Sequence, residues 1–152
     1  VMFALGADYK PNDRFSLFLS PLGSKFTIVT DKKLSDMGAF GVEPGKKFRA
    51  ELGAYLNAAY KKDEILKNVN FLTKLDLFSN YLNNPQNIDV SWEMLIVLKV
   101  NEFISATVNT HLLYDDDILI KVDEGSGGEA IMGKRTQFKE VIGVGLTYKF
   151  IK

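Results

Sequence analysis

The feature that most constrains this chain is an alternation of apolar and polar residues with a period of two. In the stretch KFRAELGAYLNAAYKK at residues 47–62, Phe48 and Leu52 fall on one side of an extended chain, whereas Glu51 falls on the other. This is the period of a β-strand with two unlike faces. The segments that share it are 1–9, 14–20, 24–30, 47–60, 66–81, 89–100, 104–114 and 137–150. No helical period separates these eight segments, so the sequence predicts an all-β fold.

Composition narrows the class of protein. A length of 152 residues suits one domain. Nineteen basic residues balance nineteen acidic ones, which gives no electrostatic reason to expect a nucleic-acid partner. The chain has no cysteine, which excludes disulfides and thiolate metal sites. Its longest uninterrupted apolar run, MLIVL at 94–98, is far shorter than the roughly 18 to 20 residues of a membrane-spanning helix.

Two kinds of barrel fit the alternation. The apolar side faces the interior of a soluble barrel but faces lipid in a membrane barrel. Segments of up to sixteen residues exceed the five or six common in globular sheets, and suit strands that cross a bilayer obliquely. Short links at 21–23, 61–65 and 101–103 also alternate with longer connections, which include 31–46 and 115–136. Short turns at one end and longer loops at the other are typical of outer-membrane barrels.

Aromatic residues on the apolar side lie mostly near the ends of the predicted strands. Such rings favour the level of the lipid headgroups, so their positions predict two lipid-facing belts. The belt predicted at the long-loop end is Tyr9, Phe15, Phe48, Tyr81, Trp92, Tyr114 and Phe138, and the belt predicted at the short-turn end is Phe3, Phe26, Tyr60 and Phe150. Between the belts the apolar side is filled by Ala, Val, Leu and Ile, as a hydrocarbon layer requires.

The polar side is predicted to line a lumen with ion pairs and hydrogen bonds between neighbouring strands. Its charged members are Arg49, Glu51, Lys74, Asp76, Glu93, Lys99, His111, Lys139 and Lys149. Because neither sign dominates this set, a structural network is favoured over a transport path.

Two groups of residues are candidates for chemistry. His111, the only histidine, is a candidate general base beside Asn109 and Ser105, in the manner of an outer-membrane phospholipase. It shares the polar side with Asn109, whereas such a hydrolase works at a lipid-facing site, so no catalytic residue is predicted. A weak candidate for a divalent cation is the acidic set Asp115, Asp116, Asp117, Asp123 and Glu124. Its spacing fits no EF-hand, which favours a solvated loop, and neither metal nor cofactor is predicted.

Several longer phrases are specific. They are LGADYKPNDRFSLFLSPLGSKFTIV, GAFGVEPGKKFRAELGA, LFSNYLNNPQNIDVSWE, and YDDDI with QFKEVIGVGLTYKF. These phrases resemble the C-terminal half of a family of Bacteroidota outer-membrane proteins, domain of unknown function 3078, and the resemblance covers nearly the whole chain. The resemblance implies a larger barrel of roughly ten to fourteen strands and implies no activity.

The sequence therefore predicts an antiparallel, up-and-down transmembrane β-barrel of the bacterial outer membrane, with about eight strands in this chain, which form a single domain or the C-terminal part of a larger barrel. Its predicted role is structural or accessory and not enzymatic. The predicted partners are the lipid bilayer, lipopolysaccharide and other proteins of an outer-membrane complex. Two alternatives stay open, a porin-like channel for small solutes and a soluble ligand-binding β-barrel.

Overall fold

One antiparallel sheet dominates the computed structural model, which describes residues 1–115, 117–118, 120–124 and 130–148. The strands are β1 (Met2–Asn12), β2 (Phe15–Ile28), β3 (Phe48–Leu66), β4 (Val69–Asn80), β5 (Ile88–Lys99), β6 (Ile104–Tyr114), β7 (Ile120–Glu124), β8 (Ala130–Gly133) and β9 (Gln137–Leu146). Seven of them form an up-and-down sheet in the order β1-β2-β3-β4-β5-β6-β9, and β7 pairs with β8 in a separate hairpin. The predicted all-β, antiparallel architecture is confirmed, but the sheet is not closed into a barrel. Within the described ranges no helix is long and apolar enough to cross a membrane.

The sheet has seven strands where eight segments were predicted, because 14–20 and 24–30 are one strand. β2 runs through both segments, and its register against β3 shifts between Ser20 and Gly23. Pro21 lies at this irregularity, where its missing N–H removes no regular ladder bond. The interpretation of 21–23 as a link between strands was therefore wrong. Likewise, 61–65 belongs to β3.

The connections of the sheet segregate by length, and the predicted long ones at 31–46 and 115–136 fall at the same end. The short ones are 13–14, 67–68 and 100–103, and they lie at one end of the strands, the short-turn end. The longer ones lie at the opposite, long-loop end: 29–47, 81–87 and the excursion between β6 and β9 that contains the β7–β8 hairpin. The connection 29–47 carries a short helix α1 (Lys32–Asp36) and a 3₁₀ turn (Ala39–Gly41).

The polar face of the sheet is concave and the apolar face is exposed. On β3 the side chain of Glu51 is on the polar face, and this residue is 3 % exposed, whereas its neighbour Leu52 is 37 % exposed. Lys25 on β2 reaches Asp89 on β5, with Nζ 3.1 Å from Oδ2. Because β3 and β4 lie between them, the backbones of β2 and β5 are about 14 Å apart at the usual strand spacing. Side chains diverge on a convex face, so this contact requires the polar face to be the inner side of a curved sheet.

The register of the sheet is staggered. Residues paired directly across all seven strands form the row Tyr9, Leu17, Ala58, Leu75, Trp92, Leu112 and Phe138. The row starts near the end of β1 and finishes at the second residue of β9. A steady stagger of this kind tilts strands relative to the axis about which a sheet curves, as in barrels.

The edges of the sheet are β1 and β9. Met2, at the start of β1, pairs with Lys25 at the long-loop end, and Leu146, at the end of β9, pairs with Ile104 at the short-turn end. Both edge strands therefore run in the same direction.

Candidate functional site

A cluster of charged side chains lies on the concave face at the long-loop end, and we call it the long-loop cluster. Its members are Lys25, Arg49, Glu51, Asp89, Asp115 and Asp117. Two cations thus meet four carboxylates. Glu51 and Asp115 are buried, at 3 % and 9 % exposure. Charged groups are buried in proteins chiefly when they are paired, so the mutual contacts of this cluster are the condition for its burial.

Lys25 bridges three carboxylates. Its Nζ lies 3.9 Å from Glu51 Oε2 and 3.5 Å from Asp115 Oδ2, in addition to the contact with Asp89. The same ammonium group lies 5.4 Å from the ring centre of Phe78, which is 5 % exposed. A cation close to an aromatic ring is attracted by the ring's quadrupole. Lys25 therefore ties β2 to β3, β5 and the segment that follows β6.

Arg49 bonds the seven-stranded sheet, which we call the wall, to two of the chain segments that connect strands at the long-loop end. Its Nη2 donates to Glu51 Oε1 at 2.8 Å and to the carboxylate of Asp117. Its Nη1 donates to the carbonyl oxygen of Gly41 at 3.1 Å. The planar guanidinium has donors on both nitrogens, so it can hold these groups at once in a fixed geometry.

Two amides complete the hydrogen bonding of the cluster. Asn80 Nδ2 donates to Glu51 Oε1 at 3.4 Å, and Asn83 Nδ2 donates to Asp117 Oδ1 at 3.2 Å. Throughout the described part of the chain, no buried side-chain nitrogen or oxygen lacks a hydrogen-bond partner. Saturated polar networks of this kind hold a single arrangement rigidly.

The connection 29–47, which we call the strap, lies beside the cluster. Asp31 caps α1, where its side chain accepts from the N–H of Leu34 at 3.1 Å, and Ser35 Oγ donates to the carbonyl of Lys46 at 2.8 Å. On the exposed side, the hydrogen bond and charge of Lys46 hold the pKa of the Glu43 carboxyl below its ordinary value. A cavity of about 410 Å³ separates the strap from the wall and is lined by both.

Further along the concave face, polar side chains pair within the wall. Tyr55 donates its hydroxyl hydrogen to Asp76, and Asn57 Nδ2 donates to Asp76 Oδ1 at 2.8 Å. His111 Nε2 and Ser91 Oγ are 2.9 Å apart. The sequence had suggested Asn109 and Ser105 as the companions of His111, but the hydrogen-bonded neighbour lies on β5. Among the described residues, no hydrogen bond from His111 to a carboxylate accompanies this contact.

The other cations of the polar face are arranged differently. Lys74, Lys99 and Lys139 are exposed on the polar face, and none has an ion pair in the described ranges. Glu93 lies opposite Lys74 and His111 in the register. The polar face therefore carries paired carboxylates in the long-loop cluster, and elsewhere carries lysines without ion pairs in the described ranges, from Lys139 near the start of β9 to Lys99 at the end of β5.

The predicted lumen residues are partly brought together. Arg49 and Glu51 are in direct contact, whereas Asp76 belongs to the separate group with Tyr55. Lys149 lies outside the described residues. Lys25 and Asp89 are absent from the predicted set. Their polar positions on alternating segments were a signal that each faces inward, but their meeting across two intervening strands depends on curvature, which the alternation does not reveal.

The aromatic belts need correction at four positions. Tyr9 and Phe15 lie beside the connection 13–14 at the short-turn end, and Phe3 and Phe26 lie at the long-loop end, where their ring centres are 6.1 Å apart. The error follows from dividing β2 into two strands. This division reversed the assigned direction of everything before residue 24, and it placed Phe26 near the start of a strand instead of near the end of β2. The placements of Phe48, Tyr81, Tyr114 and Phe138 at the long-loop end and of Tyr60 toward the short-turn end agree with the structure. Trp92 lies inside β5, and Phe150 lies outside the described residues.

The acidic set after β6 is divided among different surroundings. Asp115 and Asp117 are engaged by Lys25 and Arg49. Asp123 and Glu124 belong to β7, and Asp116 lies outside the described residues. In the part of the chain that the structure describes, no group of three or more His, Asp or Glu residues is placed to hold a metal ion.

Comparisons with protein-family models, with curated proteins and with solved structures gave no match to this chain.

Proposed function

We propose that this chain forms part of the wall of an outer-membrane β-barrel of the Bacteroidota type that its sequence resembles, with a structural or accessory role and no enzymatic activity. In this proposal the apolar face meets the acyl chains of lipids and the concave polar face encloses the interior. The observation that carries it is the combination of a concave polar face, buried at its long-loop end, with an outer apolar face whose side chains are exposed or half-buried.

The surroundings of Trp92 support the proposal. Its ring lies on the apolar face, 43 % exposed, and its Nε1–H donates to Thr73 Oγ1 at 2.8 Å. A tryptophan in contact with water needs no partner from the protein. In hydrocarbon an unpaired N–H costs several kcal/mol, so an internal acceptor is expected there.

The saturated pairing at the long-loop end supports a structural role. Lys25 and Arg49 together engage four carboxylates across the concave face. Groups that are used to hold strands and connections together are not free to conduct ions or to transfer protons. The proposed role is therefore that of a rigid wall, which serves as a subunit or scaffold of a surface complex.

The fluorescence of Trp92 tests the placement of the outer face. It is the only tryptophan, so no substitution is needed. In vesicles of lipids brominated on their acyl chains, we expect strong quenching and a blue-shifted emission, with little quenching by iodide added to the water. The unbrominated lipid is the control. Emission that iodide quenches and brominated lipid does not would contradict the proposal and favour the soluble ligand-binding barrel.

A channel for small solutes is the second candidate, and the exposed lysines of the polar face favour it. Lys74, Lys99 and Lys139 point into the concave side without ion pairs in the described residues, as groups beside water would. Conductance steps in a planar bilayer, with a charge preference that changes when these lysines become glutamine, would establish a channel. A protein that inserts without conductance would support the structural role.

A further inference from the structure

The strap is bonded more to itself than to the wall. The two ends of the connection meet, since the N–H of Val29 donates to the carbonyl of Lys47 at 2.8 Å. Within the strap, the side chain of Ser35 bonds the carbonyl of Lys46, and the N–H of Gly45 donates to the carbonyl of Ser35 at 2.9 Å. A segment with paired ends and internal bonds can swing as one body about those ends.

The bond from Arg49 to Gly41 spans from the wall to this body. The carbonyl oxygen of Gly41 accepts from Nη1 of Arg49, whose Nη2 is held by Glu51 and Asp117. The guanidinium is therefore held through Nη2 by Glu51 of the sheet and Asp117 of the segment after β6, and it donates to the strap through Nη1. Charge-assisted hydrogen bonds of this kind are about twice as strong as neutral ones.

The backbone conformation of Gly41 and its lack of a side chain allow this contact. Its φ is +73°, a region that favours glycine, and a Cβ placed there would lie 1.9 Å from Nη1 of Arg49. Any side chain would push the guanidinium away from the carbonyl. Gly45 has a similar φ of +82°, but a Cβ there would meet nothing within 4 Å. Both glycines therefore have a positive φ, but only at Gly41 would an added Cβ collide with Arg49.

We propose that the strap is a lid over the long-loop end of the concave face and that Arg49 is its latch. With the bond to Gly41 made, the strap forms one side of the open cavity of about 410 Å³. With the bond broken, the strap swings out and opens this end of the interior. The proposal does not depend on whether the outer face meets lipid.

The test measures the distance between two spin labels in the full chain, which has no native cysteine. One label replaces Lys33 on the strap and the other replaces Glu102 in the short turn 100–103, and both positions are exposed. Pulsed dipolar spectroscopy then gives the distance distribution in four backgrounds: the unaltered protein, Gly45→Ala, Gly41→Ala and Arg49→Gln. A second label pair, at Asp63 and Glu102, reports whether the wall is intact in each background.

We expect one narrow distribution in the unaltered protein and in Gly45→Ala. In Gly41→Ala and Arg49→Gln we expect a second population, with the fraction of open molecules raised roughly tenfold. The two variants break the latch from opposite sides, and Gly41→Ala leaves all charges in place. If the strap distances are alike in Gly41→Ala and Gly45→Ala, or if Arg49→Gln stays closed with its wall intact, the latch is refuted.

Discussion

Lys25 is the single side chain that draws most of the concave face together. It contacts carboxylates on three separate parts of the chain, and its own side chain is only 29 % exposed. An isolated surface ion pair contributes little to stability because water and salt screen it. A partly buried cation that offsets three carboxylates is different, since its removal leaves their charges facing one another.

We therefore expect Lys25→Met to lower the free energy of unfolding by roughly 2–4 kcal/mol, slightly less than the loss of one partner from a fully buried pair. The measurement is denaturant unfolding of the refolded protein, followed by tryptophan fluorescence. Lys10→Met is the control, because Lys10 pairs only with Asp8 at an exposed position, and its loss should cost about 0.5 kcal/mol or less. Equal effects of the two substitutions would contradict the central place given to Lys25.

At this scale the sequence predicted which way side chains face better than which side chains meet. The period of two assigns Arg49 and Glu51 to the same face, and they are in contact. The period gives no information about the distance between strands that are not neighbours. The meeting of Lys25 with Asp89, and of Arg49 with Asp117, depends on how far the sheet curves and on where the segment after β6 returns.

At the scale of elements, β2 shows why strands were easier to find than to count. Its residues alternate on both sides of Pro21, and proline followed closely by glycine and serine is a usual sign of a turn. Here the irregularity is absorbed by a register shift between Ser20 and Gly23. Tyr81 supports it by donating its hydroxyl hydrogen to the carbonyl of Pro21 at 2.9 Å. That acceptor lies two strands away, so no local pattern predicts it.

Strand β5 offers a matched test of the two faces. Met94 and Leu95 are neighbours near its middle, both half-buried, with side chains on the outer and inner face respectively. If the outer face meets lipid, Met94→Arg should cost about 2–4 kcal/mol, the usual effect of arginine near the middle of a bilayer.

The companion substitution Leu95→Arg should cost about 0.5 kcal/mol or less, because Leu95 borders a hollow of about 230 Å³ on the concave side, where the new charge can be solvated. Both variants are compared by reversible unfolding in lipid vesicles. A larger penalty at Leu95 than at Met94 would reverse the proposed assignment of faces.

At the scale of the whole molecule, the sheet combines features that a flat or two-layered β-protein does not need. Its polar side is concave, its register is staggered from β1 to β9, and its longer connections gather at one end. The alternation in the sequence predicts the two faces and the loop order. It does not predict closure, because hydrogen bonding between the first and last strands depends on the curvature and stagger summed over every strand between them.

The shared direction of β1 and β9 restricts how such a wall becomes a ring. Were these two edges to join directly, they would meet as parallel neighbours. If every strand of the closed ring is to be antiparallel to both of its neighbours, an odd number of further strands must fill the gap between β1 and β9, whichever polypeptide supplies them. Added to the seven present, they make an even total, so counting the strands of the assembled particle is enough to tell whether the seam is antiparallel.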